Sequence, residues 1–169
     1  MSTQPNTNAP DNSILDINGR QTYLGNTFSF TTTTTFGNTT EEPSFLIVNN
    51  SSNKKAIYCD LRRLTCLNSI YVIFRQYFNP TITSMGTTST VLNLRPGSAN
   101  TSISSVFTPG NFTVSSNGMY HSTLASSIFS PDVSQTLIIL DPGQSLLITS
   151  QAGESSPIPA AAELVWYEI

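Results

Sequence analysis

The chain has 169 residues, of which 10% are charged, and its formal net charge at pH 7 is -3. This length suits one domain with a sizeable core, and the charged fraction is well below the roughly 25% of an average soluble protein. Because there is no basic stripe to neutralise phosphates, nucleic-acid binding is not expected, and no apolar run approaches the roughly 18 residues of a membrane span.

Because the chain has few charged residues, its solubility depends mainly on Ser, Thr and Asn. A surface that is polar but uncharged is easy to desolvate against a partner, because few ions must lose their water. This composition favours assembly with other protein surfaces.

The first 13 residues, MSTQPNTNAPDNS, contain almost nothing apolar and predict a flexible arm. They show no basic segment followed by an apolar stretch, so we expect no signal peptide and synthesis in a cytoplasm. Ile14, Leu15 and Ile17 then form a short apolar patch. This patch is either a first edge strand or a docking segment that becomes ordered against a neighbouring molecule.

From about Tyr23 onward, the chain is typical of β-structure. TFSFTTTTTF (27–36) is β-branched and aromatic and predicts a strand. SFLIVNN (44–50) predicts a strand that is buried on both faces near its centre. AIYCDLRRLTC (56–66) alternates as far as Arg62, where the phase breaks, and this break predicts a β-bulge.

Cys59 and Cys66 lie seven positions apart in that last segment. On one continuous strand, an odd spacing places two residues on opposite faces, here more than about 20 Å apart and beyond disulfide reach. An intervening turn would let them meet. We expect two reduced, mostly buried thiols, and the lack of a C-x-x-C pair indicates neither zinc nor redox chemistry.

SIYVIFRQYF (69–78) is the most strongly β segment. One face carries Ile, Val, Phe and Gln side chains, and the other begins with Tyr71 and Ile73. Because both faces are partly apolar, we predict a central strand with one side on the core and the other against a second subunit. Tyr71 and Ile73 are therefore predicted interface residues, together with the apolar patch of the arm.

The middle of the chain is rich in Ser, Thr, Asn, Pro and Gly, which predict loops and turns. Weak strands are predicted near Val91–Leu94 and Ser102–Phe107. MYHSTLASSIF (119–129) fits either a strand or a short helix, and we favour the strand.

QTLIILDPGQSLLITSQ (135–151) holds two apolar runs on either side of Asp-Pro-Gly-Gln. Those four residues fit a type II turn, because Pro presets φ at the second position and Gly accepts a positive φ at the third. Such a turn twists against a tight hairpin, so we expect it to turn a corner between two sheets. AAELVWYEI (161–169) predicts the last strand, with Trp166 in the core.

Together these segments give roughly eight to ten short strands with frequent turn signals and no sustained helical period. The predicted fold is all-β, an antiparallel, jelly-roll-like β-sandwich with a flexible N-terminal arm. We assign residues 1–18 to the arm and residues 19–169 to a single sandwich domain.

Residues that commonly carry chemistry are sparse. His121 is alone, with no carboxylate near it in sequence, so it indicates neither a catalytic triad nor a metal site. Glu41 and Glu42 predict a solvated loop pair rather than an acid–base pair, and Asp132 and Asp141 leave a calcium site as a minor alternative. We predict no catalytic, cofactor-binding or metal-binding residues and no cofactor.

Aromatic side chains leave a second alternative open. Exposed Tyr or Trp on a β-sandwich can stack on sugar rings, and Tyr23, Tyr120 and Trp166 are candidates for that role. Trp166 alternates with apolar residues in the last strand, which favours core packing for it.

Several stretches in order resemble virion-associated β-sandwich proteins of tailed bacteriophages and their prophage relatives. They are FLIVNNSSNKKAIYCDLRRL, VIFRQYFNPTITSMGTTSTVLNLRPGSANTSISSVF, PGQSLLIT and AAELVWYEI, and they cover about residues 44–169. The first turn differs from the Pro- and Gly-containing turn typical of those proteins, since this chain has NNSSN. The resemblance implies a jelly-roll-like subunit, often trimeric, that decorates or cements a capsid or forms part of a tail or fibre, and it implies no catalytic residues.

From the residues and the resemblance together, we expect a non-enzymatic virion protein, a capsid decoration protein that stabilises a phage head. It would assemble in the host cytoplasm as a homotrimer and bind the major capsid protein, with neither nucleic acid nor membrane as a partner. The alternative is a glycan-binding receptor module of a tail or fibre. A polysaccharide depolymerase, which needs two carboxylates about 5–10 Å apart, is the least favoured function.

Overall fold

The computed structural model describes residues 17–36, 41–66, 72–108, 113–114, 119–125, 137–153 and 158–169. Within these ranges, one short helix precedes a succession of strands, and the prediction of an all-β fold is confirmed. The elements are α1 (Ile17–Leu24), β1 (Thr27–Phe36), β2 (Glu42–Asn49), β3 (Ile57–Cys66), β4 (Val72–Phe78), β5 (Ile82–Ser84), β6 (Thr87–Ser89), β7 (Leu92–Asn93), β8 (Ser104–Thr108), β9 (Thr113–Val114), β10 (Met119–Ala125), β11 (Leu137–Leu140), β12 (Ser145–Ala152) and β13 (Ile158–Glu168).

Two antiparallel sheets form the sandwich. Sheet I has the strand order β11-β3-β13-β1-β7, and sheet II has the order β10-β4-β12-β2-β8-β6. The segment predicted to be a central strand is β4, and its position between β10 and β12 confirms that it is not an edge strand. Its predicted contact with a second subunit stays a prediction. A separate pair, β5 with β9, is also antiparallel.

The order of the long strands is that of a jelly roll. Four strands of sheet I follow the order β1-β13-β3-β11, and four of sheet II follow β2-β12-β4-β10. The chain changes sheet at every step from β1 to β4 and again from β10 to β13. This is the double Greek-key connectivity of a jelly roll. Two additions extend it: β7 pairs with β1 in sheet I, and β8 followed by β6 extends sheet II beyond β2.

The core lies between the inner faces of the two sheets, as the strand alternation predicts. Trp166 of β13 is fully buried and stacks on Phe28 of β1, with ring centroids 6.0 Å apart, so its predicted core position is confirmed. Sheet II contributes Phe45, whose ring packs edge-on against Phe30 of sheet I at 5.6 Å. Apolar burial of this kind is the main stabilising term of a sandwich.

The bulge predicted in β3 is confirmed, and it corrects the predicted faces of the two cysteines. Glu163 of β13 pairs with Arg63, whereas the next residue of β13 pairs with Leu61, so one residue of β3 is extra. That residue shifts the alternation by one position. Cys59 and Cys66 therefore share the core face; both are buried, and neither forms a disulfide, as expected.

The predicted corner turn is confirmed as well. Gln144 donates its backbone N–H to the carbonyl of Asp141 at 3.0 Å, and Gly143 has φ of 89°. That φ is favourable for Gly and costly for other residues. Because β11 belongs to sheet I and β12 to sheet II, the turn links the two layers and does not close a hairpin within one sheet.

Helix α1 was not predicted, because its sequence has no apolar stripe to give a helical period. It includes Ile17, which the sequence analysis placed in the arm, and Tyr23, where we expected β-structure to begin. The helix packs against β1 and β13. Gly25, with φ of 76°, ends it by donating its N–H to the carbonyl of Thr22 at 3.0 Å, as in a helix C-cap.

Asn49, at the end of β2, ties together three segments at one end of the sandwich. Its buried amide donates to the carbonyls of Lys55 and Leu140, each at 2.9 Å. Its amide oxygen accepts from the side chain of Asn53 at 2.7 Å. Because buried amides are costly when left unpaired, this residue holds the β2–β3 loop and the end of β11 in register.

We therefore expect Asn49→Ala to lower the free energy of unfolding by about 3 kcal/mol, since two carbonyls and one amide lose their partner. Asn50→Ala is the matched control. Asn50 also makes two side-chain hydrogen bonds, to Ile103 and Ser105, but it is only half-buried, so we expect a loss of about 1 kcal/mol. Urea unfolding of both variants measures the difference, and equal losses would contradict the central role of Asn49.

Candidate interaction surfaces

The predicted interface residues lie in different parts of the chain. Ile14, Leu15 and Tyr71 fall outside the described residues. Ile17 is the first residue of α1, which packs against sheet I. Ile73 is half-buried on β4 of sheet II and, because its neighbours along the strand face the core, it faces outward. The two described residues thus belong to opposite layers of the sandwich.

A strand at the edge of sheet I exposes apolar side chains that sequence reasoning treated as plain scaffold. On β11, Ile138 and Leu140 enter the core, whereas Leu137 is 51% exposed and Ile139 is 48% exposed. β11 is the terminal strand of sheet I, bonded on one side to β3. An exposed apolar edge strand offers both side chains and unpaired backbone groups to another strand. We call Leu137 and Ile139 the edge strip.

An apolar cleft of about 220 Å³ lies next to the edge strip. The described residues that line it are apolar and come from both sheets: Phe78, Leu137, Ile138, Ile139 and Leu146. Exposed apolar surface that continues into a cleft marks a place where a partner can bury side chains.

The apolar surface continues across the outer face of sheet I. Ile139 pairs with Tyr58 of β3, and Tyr58 pairs with Tyr167 of β13, so the three residues form one row across three strands. The two tyrosine rings stack in parallel, with centroids 5.0 Å apart and an interplanar angle of 5°. Tyr167 is only 7% exposed and Tyr58 is half-buried, so the pair adds mainly the partly exposed ring of Tyr58 to the apolar edge. We call Ile139, Tyr58 and Tyr167 the tyrosine row.

Glu41 is not the solvated loop charge that its sequence context predicted. Its carboxylate accepts hydrogen bonds from Arg75 at 3.1 Å, from the Tyr77 hydroxyl at 2.6 Å and from the Thr149 hydroxyl. Burial and the bond to Glu41 raise the pKa of Tyr77 to about 12. Glu41, which directly precedes β2, is therefore bonded to both β4 and β12. The partners lie at least 34 positions from it along the chain, so no local sequence pattern reveals these contacts.

Glu168, near the end of β13, is a buried carboxylate. Its Oε1 accepts from the Ser102 hydroxyl at 2.8 Å, the Ile103 N–H at 3.0 Å and the Trp166 indole N–H at 3.4 Å. Burial raises the pKa of Glu168, and these hydrogen bonds partly offset that rise. The sequence analysis assigned no role to this acid, because its burial depends on contacts with Ser102 and Ile103 that only the tertiary fold creates.

A second cleft lies at the opposite lateral edge of the sandwich. It has a volume of about 280 Å³ and runs between β7 of sheet I and β6 and β8 of sheet II. Its lining is mainly Ser, Thr and Asn. We call it the polar cleft.

The other sequence candidates are dispersed. Asp141 is exposed in the corner turn, and Asp132 falls outside the described residues. The backbone of His121 pairs with Gln76 on β4. Tyr23 is 46% exposed beneath the Arg95 guanidinium, whereas Trp166 is in the core. Within the described ranges, no three His, Cys, Asp or Glu side chains gather closely enough to hold a metal ion.

Comparison with known protein families, with curated proteins and with solved structures found no match for this chain. The resemblance to phage virion proteins therefore stays a prediction. No described helix combines the length and the hydropathy that crossing a lipid bilayer requires.

The raised pKa of Glu168 predicts a pH-dependent stability. The folded protein holds this proton more tightly than the unfolded chain, so the free energy of unfolding falls as pH rises from the unfolded pKa through the folded one. Glu168→Gln keeps an acceptor and cannot ionise. We expect its melting temperature, relative to the unmodified protein, to rise as pH increases across that window.

Melting curves between about pH 4 and pH 8 measure this effect. Glu163→Gln, which removes another carboxylate from β13, is the matched control. A Glu168→Gln advantage that shrinks with rising pH, or that Glu163→Gln reproduces, would show that Glu168 is not the group responsible.

Proposed function

We propose that this chain is a non-enzymatic structural protein of a phage virion, a capsid decoration subunit that assembles as a homotrimer. The single observation that carries this proposal is the edge strip, which continues into the apolar cleft on one side and the tyrosine row on the other. Jelly rolls occur in viral capsid proteins and in lectins, and an apolar edge favours assembly among those roles.

The energy available at the edge strip is modest for one contact. Burying the exposed halves of Leu137 and Ile139 contributes about 1 kcal/mol each, and backbone hydrogen bonds along β11 add to this. Neither residue carries a charge that would have to lose its water. Symmetric repetition of such a contact converts small terms into stable assembly.

The occupant that we assign to the edge strip is the apolar part of the N-terminal arm, Ile14 and Leu15, from a neighbouring copy. Ile14 and Leu15 lie three and two residues before α1, so they reach at most about 10 Å from its first residue when extended. The contact therefore requires the edge strip of the neighbouring copy to lie close to α1. An extended arm can add a strand to an open sheet edge, with alternate side chains entering a pocket. The edge strip and the apolar cleft beside it supply that edge and that pocket.

A head-to-tail contact of this kind uses two different surfaces and forms a ring when the rotation closes. Any closed ring satisfies every arm and every edge strip, and the number three is taken from the resemblance to virion proteins. The remaining outer surface then faces the major capsid protein, the partner that we propose for the assembled ring. The proposal assigns the protein to the virion and involves no catalysis, cofactor, nucleic acid or membrane.

Ile139→Lys tests the edge strip, because it places a charge where the neighbouring arm would be buried. We expect light scattering to give a mass three times 18.3 kDa for the unmodified protein and a mass near 18.3 kDa for this variant. Leu92→Lys is the matched control, since Leu92 is 65% exposed at the opposite edge of the same sheet. A trimer that survives Ile139→Lys would overturn the assigned interface.

Removal of residues 1–16, which leaves α1 intact, tests the arm and should also yield monomer. To locate the contact, a chain with Leu15→Cys is mixed with a differently tagged chain with Ile139→Cys under oxidising conditions. A disulfide between the two kinds of chain supports a neighbour's arm. A disulfide found only within one chain, when both substitutions are combined, would contradict it.

Co-sedimentation tests the virion role separately. The purified protein is mixed with expanded heads of the phage that encodes it, from which its own copies have been removed. We expect saturable binding of the trimer and weaker binding of the chain that lacks residues 1–16. A stable trimer that does not bind heads would refute the decoration role while leaving the self-assembly intact.

A further inference from the structure

The polar cleft has an unusual lining for its size. Twelve residues in the described part of the chain line it, and none of these twelve carries a charge. Nine offer hydroxyl or amide groups, namely Thr88, Ser89, Thr90, Asn93, Asn100, Thr101, Ser102, Ser104 and Ser105. The other three, Phe28, Val91 and Val106, are apolar. The cleft therefore combines many neutral hydrogen-bonding groups with an apolar floor.

One of these groups is buried and unsatisfied. The hydroxyl of Ser104 is inaccessible to solvent and has no hydrogen-bond partner, and the residue as a whole is 8% exposed. A buried polar group without a partner is costly, and native proteins seldom retain one without a reason. Because solvent does not reach this oxygen, a ligand hydroxyl can become its partner only if the lining around Ser104 moves enough to open it to the cleft.

The neighbouring side chains are already held in place. Asn93 donates to the carbonyls of Gly25 at 2.9 Å and Asn100 at 3.0 Å. Ser102 donates to the buried carboxylate of Glu168 at 2.8 Å. Because these groups are fixed before any ligand arrives, binding would order few side chains, and that lowers its entropic cost.

We propose that the polar cleft binds one neutral sugar residue of a glycan. A sugar ring presents hydroxyl groups that both donate and accept, together with apolar C–H faces, and the lining matches both properties. The volume of about 280 Å³ lies just below the range of about 300–1,000 Å³ typical of drug-sized ligands, which fits one ring rather than an oligosaccharide. The uncharged lining disfavours acidic sugars.

This site adds recognition to the structural role and does not depend on it. β7 and β6 end their sheets on the side opposite to β11 and β10. The polar cleft therefore stays open when the edge strip is covered. A particle decorated with this protein would present many copies of a weak sugar site, and multivalency raises the avidity of such an array.

The test is a titration of the full chain with methyl glycosides of neutral hexoses and N-acetylhexosamines, in which binding is observed by NMR. N-acetylneuraminic acid is the charged comparison. We expect saturable binding of at least one neutral glycoside with Kd in the millimolar range, and much weaker binding of the acidic sugar. No saturable binding by any neutral probe, or preferential binding of the acidic sugar, would overturn the proposal.

Two variants locate the site. Ser104→Ala should weaken binding about tenfold while the melting temperature stays the same or rises, because an unsatisfied hydroxyl is removed. Thr90→Trp blocks the cleft from an exposed position and should abolish binding. Thr87→Trp, on an exposed residue of β6 outside the lining, is the control. Binding that survives both cleft variants would place the sugar elsewhere and refute this site.

Discussion

The burial of two inner sheet faces against each other is the constraint on which the rest of this structure depends. β13 lies at the centre of sheet I, and its Leu164 and Trp166 are fully buried in the interface between the sheets. Because the chain crosses from one sheet to the other at most steps, its connections run over the ends of the sandwich. The lateral edges are left to strands, and those edges carry the distinctive surface chemistry.

The two lateral edges differ in chemistry because different side chains fill the same structural role. At one edge, β11 presents the aliphatic edge strip beside an apolar cleft. At the other edge, β6, β7 and β8 enclose a cleft lined mainly with hydroxyl and amide groups. Binding at an apolar edge is favoured because water is excluded from apolar surface. Binding in a neutral polar cleft is favoured when ligand hydroxyls replace water as hydrogen-bond partners. One subunit can therefore assemble through one side and recognise a ligand through the other.

Local patterns predicted much of the fold and little of its surface chemistry. The corner turn depends on Pro142 and Gly143, whose backbone preferences act within four residues, so it was predictable. The bulge at Arg62 appeared as a break in alternation, but its effect on Cys59 and Cys66 required counting the extra residue. Helix α1 was missed because it is stabilised by packing against sheet I and not by an apolar stripe of its own.

The sequence by itself determined that alternating apolar residues would form a two-layered β-sandwich, because side-chain alternation has a period of two and is a local property. Only the tertiary structure decided which polar groups meet. Glu41 with Arg75, and Ser102 with Glu168, are joined across 34 and 66 positions. Such contacts depend on strand order and register, and sequences with the same alternation can differ in both.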